Sequence, residues 1–290
     1  SDKVDFLDFL DLSLIKETIA SQGLDKSRLL ELIKLSKKAR IVVIGDTIID
    51  RYVQTTPIGL SSEAPVVVVK ELSSEDFVGG AGVVALHVSS VCKDTSFISV
   101  AGKDAEAVLL NDVLLKNKIK PIIFSELNRP TTLKTRFVAQ GQKLLRLSRL
   151  DDSAYSDKFY AKTLEILFSE VERADRVIFS DFSYGVLSEK FIDSAKKLFE
   201  SDAFTKFAGD SQSGSQTGNI GKFVNFNAIY PTEYEARLYL KDFSSSIDVI
   251  GRNLLRKLNV SKVFLKLNAE GLLIFYKTKG EERRAYLPAF

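Results

Sequence analysis

Two acidic residues stand four apart in the segment IVVIGDTIIDRY (41–52): Asp46 follows Gly45 at the end of an apolar, β-branched run, and Asp50 comes just after. Ligands of open α/β sheets collect beyond the carboxyl ends of the strands, where Asp46 falls. A carboxylate there can accept two hydroxyl hydrogen bonds, the chemistry that sugar recognition needs. The same residues also fit a capped turn at Asp46 and a solvated side chain at Asp50. Thirty residues on, FVGGAGVVALH (77–87) sets three glycines before an apolar helical run. A dinucleotide cradle would need G-x-G-x-x-G directly after the first strand, and a P-loop would need Lys followed by Ser or Thr. Neither pattern is present, which leaves a tight turn with close helix packing as the local alternative.

These residues need a sheet to hold them. RIVVIGD (40–46) is short, β-branched and uninterrupted by polar residues, as a strand buried on both faces of a parallel sheet would be. Similar runs recur at 95–102, 120–126, 175–181, 205–210, 226–231 and 261–267, with helical patterns at 156–173, 188–200 and 246–258 between them. Strand alternating with helix predicts an α/β protein with a doubly wound, mostly parallel sheet flanked by helices. Residues 51–72 and 131–150 break the rhythm with strand-like alternation and no adjoining helix, which predicts a small β-strand lid inserted in the domain. Residues 1–38 read as a helical extension, and 39–290 as one domain.

Bulk composition narrows the function classes. Lys and Arg exceed Asp and Glu by 41 − 38 = 3, and the basic residues are scattered, which argues against a nucleic-acid partner. Cys92 is the only cysteine, so an internal disulfide framework and a multi-cysteine metal site are excluded; it reads as a small core residue. The lone histidine, His87, reads as structural. The chain has no Met and no Trp. No apolar run is long enough to span a bilayer and the first residues do not form a signal peptide. The expectation is a cytoplasmic protein with no membrane partner.

The order of features resembles the ribokinase-like (PfkB) carbohydrate kinases over about residues 38–290. The segments GDTIIDRY, SSEAPVVVV, GGAG, PTTLKTRFV, QKLLRL and SDFSYGVLS are most similar to the kinase domain of bacterial heptose-7-phosphate kinases, which serve ADP-heptose synthesis. The resemblance implies transfer of the γ-phosphoryl group of ATP, with Mg²⁺, to a sugar hydroxyl. It makes Asp46 the sugar-binding carboxylate with Asp50 close by, turns the amides of Gly79 and Gly80 toward the sugar, and closes the lid over it. Lys134, Arg136 and Arg146 are basic residues in the lid's apolar alternation. They would suit a sugar phosphate, since Arg pairs bidentately with phosphate, or they form a solvated strand face.

For the nucleotide half, the resemblance assigns Glu235 in PTEYEAR to Mg²⁺ organisation and Asp210, Thr232, Lys266, Asn268 and Gly271 to the nucleotide. Read alone, Glu235 is an ordinary carboxylate in the first turn of a helix. Departures from the family pattern are Thr232 in place of Asn, Lys266 in place of a small polar residue, and Val83 in place of a sugar-facing Asn. The family's base is an Asp in a Gly-Ala-Gly-Asp turn opening a late helix; no segment supplies it, and the expectation is that it lies beyond Phe290. The 290 residues alone would then be catalytically inactive. Two rivals stand beside the heptose kinase: a kinase of the same family for another sugar or a nucleoside, and a non-catalytic sugar- or nucleotide-binding protein on a kinase scaffold. The family also implies a homodimer through the lid strands.

Overall fold

The structure is a computed structural model that describes residues 20, 23, 25–126, 128–151, 153–199, 202–212 and 219–289. Of the expected N-terminal extension, the described residues include helix α1 (Lys26–Ser36), capped by Asp25, whose carboxylate accepts from Arg28 N. The rest of that extension, residues 1–19, 21, 22 and 24, lies outside the described residues, as do residues 213–218. The chain divides into two compact units: Arg40–Leu198, and Phe199–Phe290 together with Ser1–Ala39.

The first unit is built on β1 (Arg40–Gly45), whose Val42, Val43 and Ile44 are wholly buried. A strand with both faces covered needs apolar residues at every position, which is why RIVVIG lacks alternation. Immediately after Asp46 come β2 (Thr47–Leu60) and β3 (Val67–Gly80), then α2 (Ala81–Val91), β4 (Asp94–Val100), α3 (Ala105–Lys116) and β5 (Ile119–Phe124). Next are β6 (Leu133–Ala139), β7 (Gln142–Arg149), α4 (Asp157–Arg173), β8 (Arg176–Asp181) and α5 (Glu189–Leu198). Strands β8, β1, β4 and β5 lie side by side and all pair in parallel. Helix α4 starts where the Ser156 hydroxyl accepts from Phe159 N, and buries Phe159, Thr163, Leu167 and Val171, one turn apart along one face.

The lid is a separate four-stranded sheet in the order β3-β2-β6-β7. Its strands are longer than the sequence suggests. β2 begins at Thr47 rather than near residue 51, and β3 runs through the two glycines, so that Gly79 pairs with Ile48 and Gly80 with Thr47. The expected Gly-Gly turn is the end of a strand that passes directly into α2.

In the second unit β9 (Phe207–Ser211), β10 (Ala228–Ile229) and β11 (Lys262–Lys266) pair in parallel, with α6 (Glu233–Leu240) and α7 (Ile247–Lys257) between the last two. An antiparallel hairpin, β12 (Leu272–Thr278) and β13 (Glu281–Leu287), extends from β11. The sequence pattern did not announce it, because EERRAYL carries charge where alternating apolar residues would mark a strand. Among the described residues no helix is long and apolar enough to cross a membrane.

Candidate functional site

The lid strand register gathers four of the predicted sugar-side residues, Asp50, Lys134, Arg136 and Arg146, on one face. Asp50 of β2 lies beside Lys134 of β6 and Phe77 of β3, and Tyr52 lies beside Arg136, which in turn faces Arg146 of β7. Arg136 forms a short ion pair with Asp50, and its guanidinium lies 5.1 Å from the centre of the Tyr52 ring. Tyr52 meets Phe77 edge-on, and Phe77 is half exposed. Two arginines directly opposite one another on a sheet repel, by a few tenths to about 1 kcal/mol relative to neutral pairs. With Lys134 they make three cations on a face that also carries Asp50 and, opposite Tyr52, Glu75, an arrangement suited to an anion.

The glycines explain why this face stays open at its inner end. A Cβ on Gly79 would lie 2.2 Å from Asp50 Oδ2, so only glycine leaves that carboxylate its place. Gly80 has φ +58°, and a Cβ there would lie 2.5 Å from the Asp46 carbonyl oxygen.

Asp46 itself faces elsewhere. Its carboxylate is buried to 1% exposure, with Oδ2 accepting from Phe182 N at 2.8 Å and Tyr184 N at 3.3 Å, and Oδ1 accepting from Val186 N at 3.0 Å. The intervening amide of Ser183 donates to Asp181 Oδ1. Ser183 (φ +63°) and Gly185 (φ +103°) both adopt left-handed backbone. Residues 182–186 are thus a turn whose amides converge on carboxylates, an anion-binding nest filled by the protein's own side chain. Burial, then the charge of Asp181, push the Asp46 carboxyl up to about 6; the three amide hydrogen bonds oppose them. The polar cavity that Asp46 lines with Thr47, Arg129, Tyr155 and Tyr184 measures about 10 Å³, room for one water molecule.

Several residues that the sequence reading passed over hold the lid in place. Arg51 makes two bonds of 2.7 Å to Asp76 and a longer one to Glu106, and Glu106 accepts from Arg149 at 2.7 Å. Glu106, in the first turn of α3, is therefore a buried carboxylate joining β2 and β7 to the core. Asp104 caps the same helix and also binds both the amide and hydroxyl of Thr131. Burial would raise its pKa, but the hydrogen bonds of Thr131 and Ala107 and the nearby Arg149 hold it below the ordinary carboxylate value. Arg129, buried over the face of Tyr155 at 3.8 Å, donates to the carbonyls of Asp151 and Ser153.

In the second unit, Thr232 and Glu235 form a capping box: Glu235 Oε2 accepts from Thr232 N at 2.7 Å, and Thr232 Oγ1 accepts from Glu235 N at 3.2 Å. Thr232 bridges to Lys266, whose ammonium lies 3.1 and 3.3 Å from the two oxygens of Asp210. Four of the six predicted nucleotide-side residues, Asp210, Thr232, Glu235 and Lys266, are thus linked through one chain of contacts. Asn268 and Gly271 lie on the following turn, both with positive φ. A Cβ on Gly271 would lie 2.2 Å from Leu287 O, so glycine there serves the packing of the last strand. Among the described residues no group of three or more His, Cys, Asp or Glu side chains is placed to hold a metal ion. Mg²⁺ that keeps its waters and binds phosphate oxygens needs only one or two carboxylates, a requirement that Glu235 and Asp210 fit.

Parallel strands with flanking helices, a β lid, and an acid after the first strand define a carbohydrate kinase of the ribokinase-like class. The chain belongs to the pfkB family of carbohydrate kinases, whose family model matches residues 38–288. It is 27% identical over 241 residues to "Bifunctional protein HldE" of a Nitratiruptor species, covering 82% of this chain and 50% of that one. It is 31% identical over 179 residues to the HldE of Rhodopseudomonas palustris (strain BisB5), covering 59% and 36%. The chain thus spans about half the length, or less, of these curated relatives. Among solved structures, Arabidopsis thaliana ribokinase complexed with ribose and ATP superposes with a TM-score of 0.64 at 17% identity, covering 87% of this chain and 78% of that one. A phosphofructokinase-2 from Escherichia coli gives a TM-score of 0.63 at 13% identity, covering 85% and 79%. These likenesses carry the fold: a ribokinase-like, mostly parallel α/β sheet with flanking helices.

Proposed function

We propose that this pfkB-family sugar kinase acts in the cytoplasm on an anionic sugar, a heptose 7-phosphate phosphorylated at O1, with ATP and Mg²⁺. One observation carries the anionic part: Lys134, Arg136 and Arg146 share the lid face that also presents Asp50. Similarity to the HldE chains, and the motif resemblance to heptose-7-phosphate kinases, supply the sugar. On this reading Asp50 accepts sugar hydroxyls beside the Gly79 and Gly80 backbone, and Lys134 and Arg146 hold the phosphate. Arg136 divides its charge between the phosphate and Asp50. Asp46, enclosed and already bonded to three amides, acts from behind the site rather than on the sugar.

ATP would be held by Asp210, Thr232, Lys266, Asn268 and Gly271, with Glu235 orienting Mg²⁺ through its water. Mg²⁺ would supply charge neutralisation at the transferring phosphoryl group. The lid face opposite Arg146 exposes Leu145 and Leu147 at 59% and 58%, which suits a homodimer through the lid.

The test is ADP release and phosphorus NMR of the product with heptose 7-phosphate, the unphosphorylated heptose, and a panel of pentoses, hexoses and nucleosides. Turnover confined to the phosphorylated sugar supports the reading; equal turnover of neutral sugars refutes it. A second reading, ligand binding without turnover, is favoured by the second unit. Glu235 is engaged with Thr232, and Asp210 with Lys266, so these groups satisfy one another. Tight sugar-phosphate binding with no ADP release would select it.

A further inference from the structure

The carboxylate of Asp46 is a buried acid that the sugar-binding reading leaves without a task. It has three backbone donors, from Phe182, Tyr184 and Val186, which lie 136 to 140 residues away in sequence. All three belong to a turn in which Ser183 and Gly185 hold left-handed backbone. Such a turn presents its amides inward, and without an anion at their focus those buried donors would be left unsatisfied. The turn carries Tyr184, and the ammonium of the lid residue Lys134 lies over its ring, 5.0 Å from the centre. Tyr160 Oη donates to Gly185 O and fixes the far end, while Tyr155 packs against Gly185.

We infer that Asp46 is a positioning residue: it is the internal anion that fixes the 182–186 turn and so seats Tyr184 beneath Lys134 of the lid. Resting on the sugar-phosphate reading above, this makes Asp46 a determinant of affinity for the anionic end of the sugar without contact with it. Tyr184 shields one side of the lysine, so the ammonium is restricted to directions across the lid face it shares with Arg136 and Arg146. A carboxylate is needed rather than an amide, because three convergent N–H donors require acceptors on both terminal atoms and Asn offers an acceptor on one. The turn and the lid lysine are joined through a cation–ring contact, which transmits position more than charge.

The experiment has a ligand-free arm and a ligand arm. In the protein without ligand, Asp46→Asn should raise hydrogen exchange at the amides of Phe182, Tyr184 and Val186 at least tenfold, with β4 unchanged. Unchanged exchange at those amides overturns the inference. In the ligand arm, titration with heptose 7-phosphate should show about tenfold weaker binding for Asp46→Asn, and less than a twofold effect of the same change in a Lys134→Ala background. A full tenfold loss in that background means that Asp46 touches the sugar directly, and overturns it. Tyr184→Leu, which leaves the carboxylate and its donors in place, should reproduce the weaker binding without altering exchange at Phe182 and Val186; normal affinity in that variant overturns it. It also decides the matter should Asp46→Asn not fold. If the unaltered protein binds no sugar phosphate, both the proposed substrate and the affinity role fall, while the exchange arm still decides whether Asp46 holds the turn.

Discussion

Asp46→Asn keeps the shape of the side chain and removes its charge, which makes the energetic cost of that charge measurable. Burial first, and Asp181 second, raise the Asp46 carboxyl from 3.8 to about 6. One pKa unit corresponds to about 1.4 kcal/mol, so a rise of about two units makes ionisation roughly 3 kcal/mol harder in the folded state than in the unfolded chain. The sign follows from linkage: between about pH 4 and pH 6 the folded protein holds a proton that the unfolded chain has released. Asp46 therefore contributes stability that is fully present below about pH 4 and lost as pH rises through about 6. The variant has no such titration. Urea unfolding followed by circular dichroism should be run on both proteins at intervals from pH 7.5 to pH 4.5. The stability of the unaltered protein relative to Asp46→Asn should rise as pH falls, by about 2 kcal/mol over this range, out of about 3 kcal/mol for the complete titration. Asp181, Tyr155 and Arg129 face the group and are present in both proteins. A difference that is flat within about 0.5 kcal/mol, or that shrinks toward low pH, would refute the buried-carboxylate account.

Gly79→Ala should leave the fold nearly intact, because the colliding Asp50 side chain can turn away, yet weaken sugar binding at least tenfold in a titration with heptose 7-phosphate. Gly80→Ala should instead lower the unfolding free energy by about 1–3 kcal/mol, since its φ is positive and the obstacle is the Asp46 backbone carbonyl. Arg146→Ala should raise KM for a phosphorylated sugar several-fold and leave KM for ATP unchanged, with the effect shrinking at high salt. Glu106→Ala removes the buried partner shared by Arg51 and Arg149; a loss of about 1–3 kcal/mol and faster proteolysis within β2, β3 or β7 are the expected readouts.

The elements were legible where local pattern alone decides structure. Apolar runs such as RIVVIG and DTSFISV must be strands covered on both faces, and KFYAKTLEILFSEV buries one helical stripe; neither depends on distant partners. The position of Asp46 at the end of a parallel strand was equally plain, and so were the lid segments. Other features were not legible because long-range pairing decides them. Gly79 and Gly80 have poor strand propensity and read as a turn, but pairing with Ile48 and Thr47 makes them strand. The charged β13 is a strand because β12 supplies its hydrogen bonds.

The chemistry divides along the same line. Sequence by itself determined that carboxylates, glycines and lid cations occur in the order of a pfkB kinase, since residue type and spacing are local properties. Only the tertiary structure decided which partners each carboxylate meets. Asp46 and Asp50 are four residues apart and chemically identical, and no local pattern separates them. Sheet register places Asp50 against Gly79 and Arg136 on the lid face, whereas the end of β1 turns Asp46 toward the amides that follow β8. Those partners lie 29 and 86 residues from Asp50 and up to 140 from Asp46, distances over which only the folded backbone sets who meets whom.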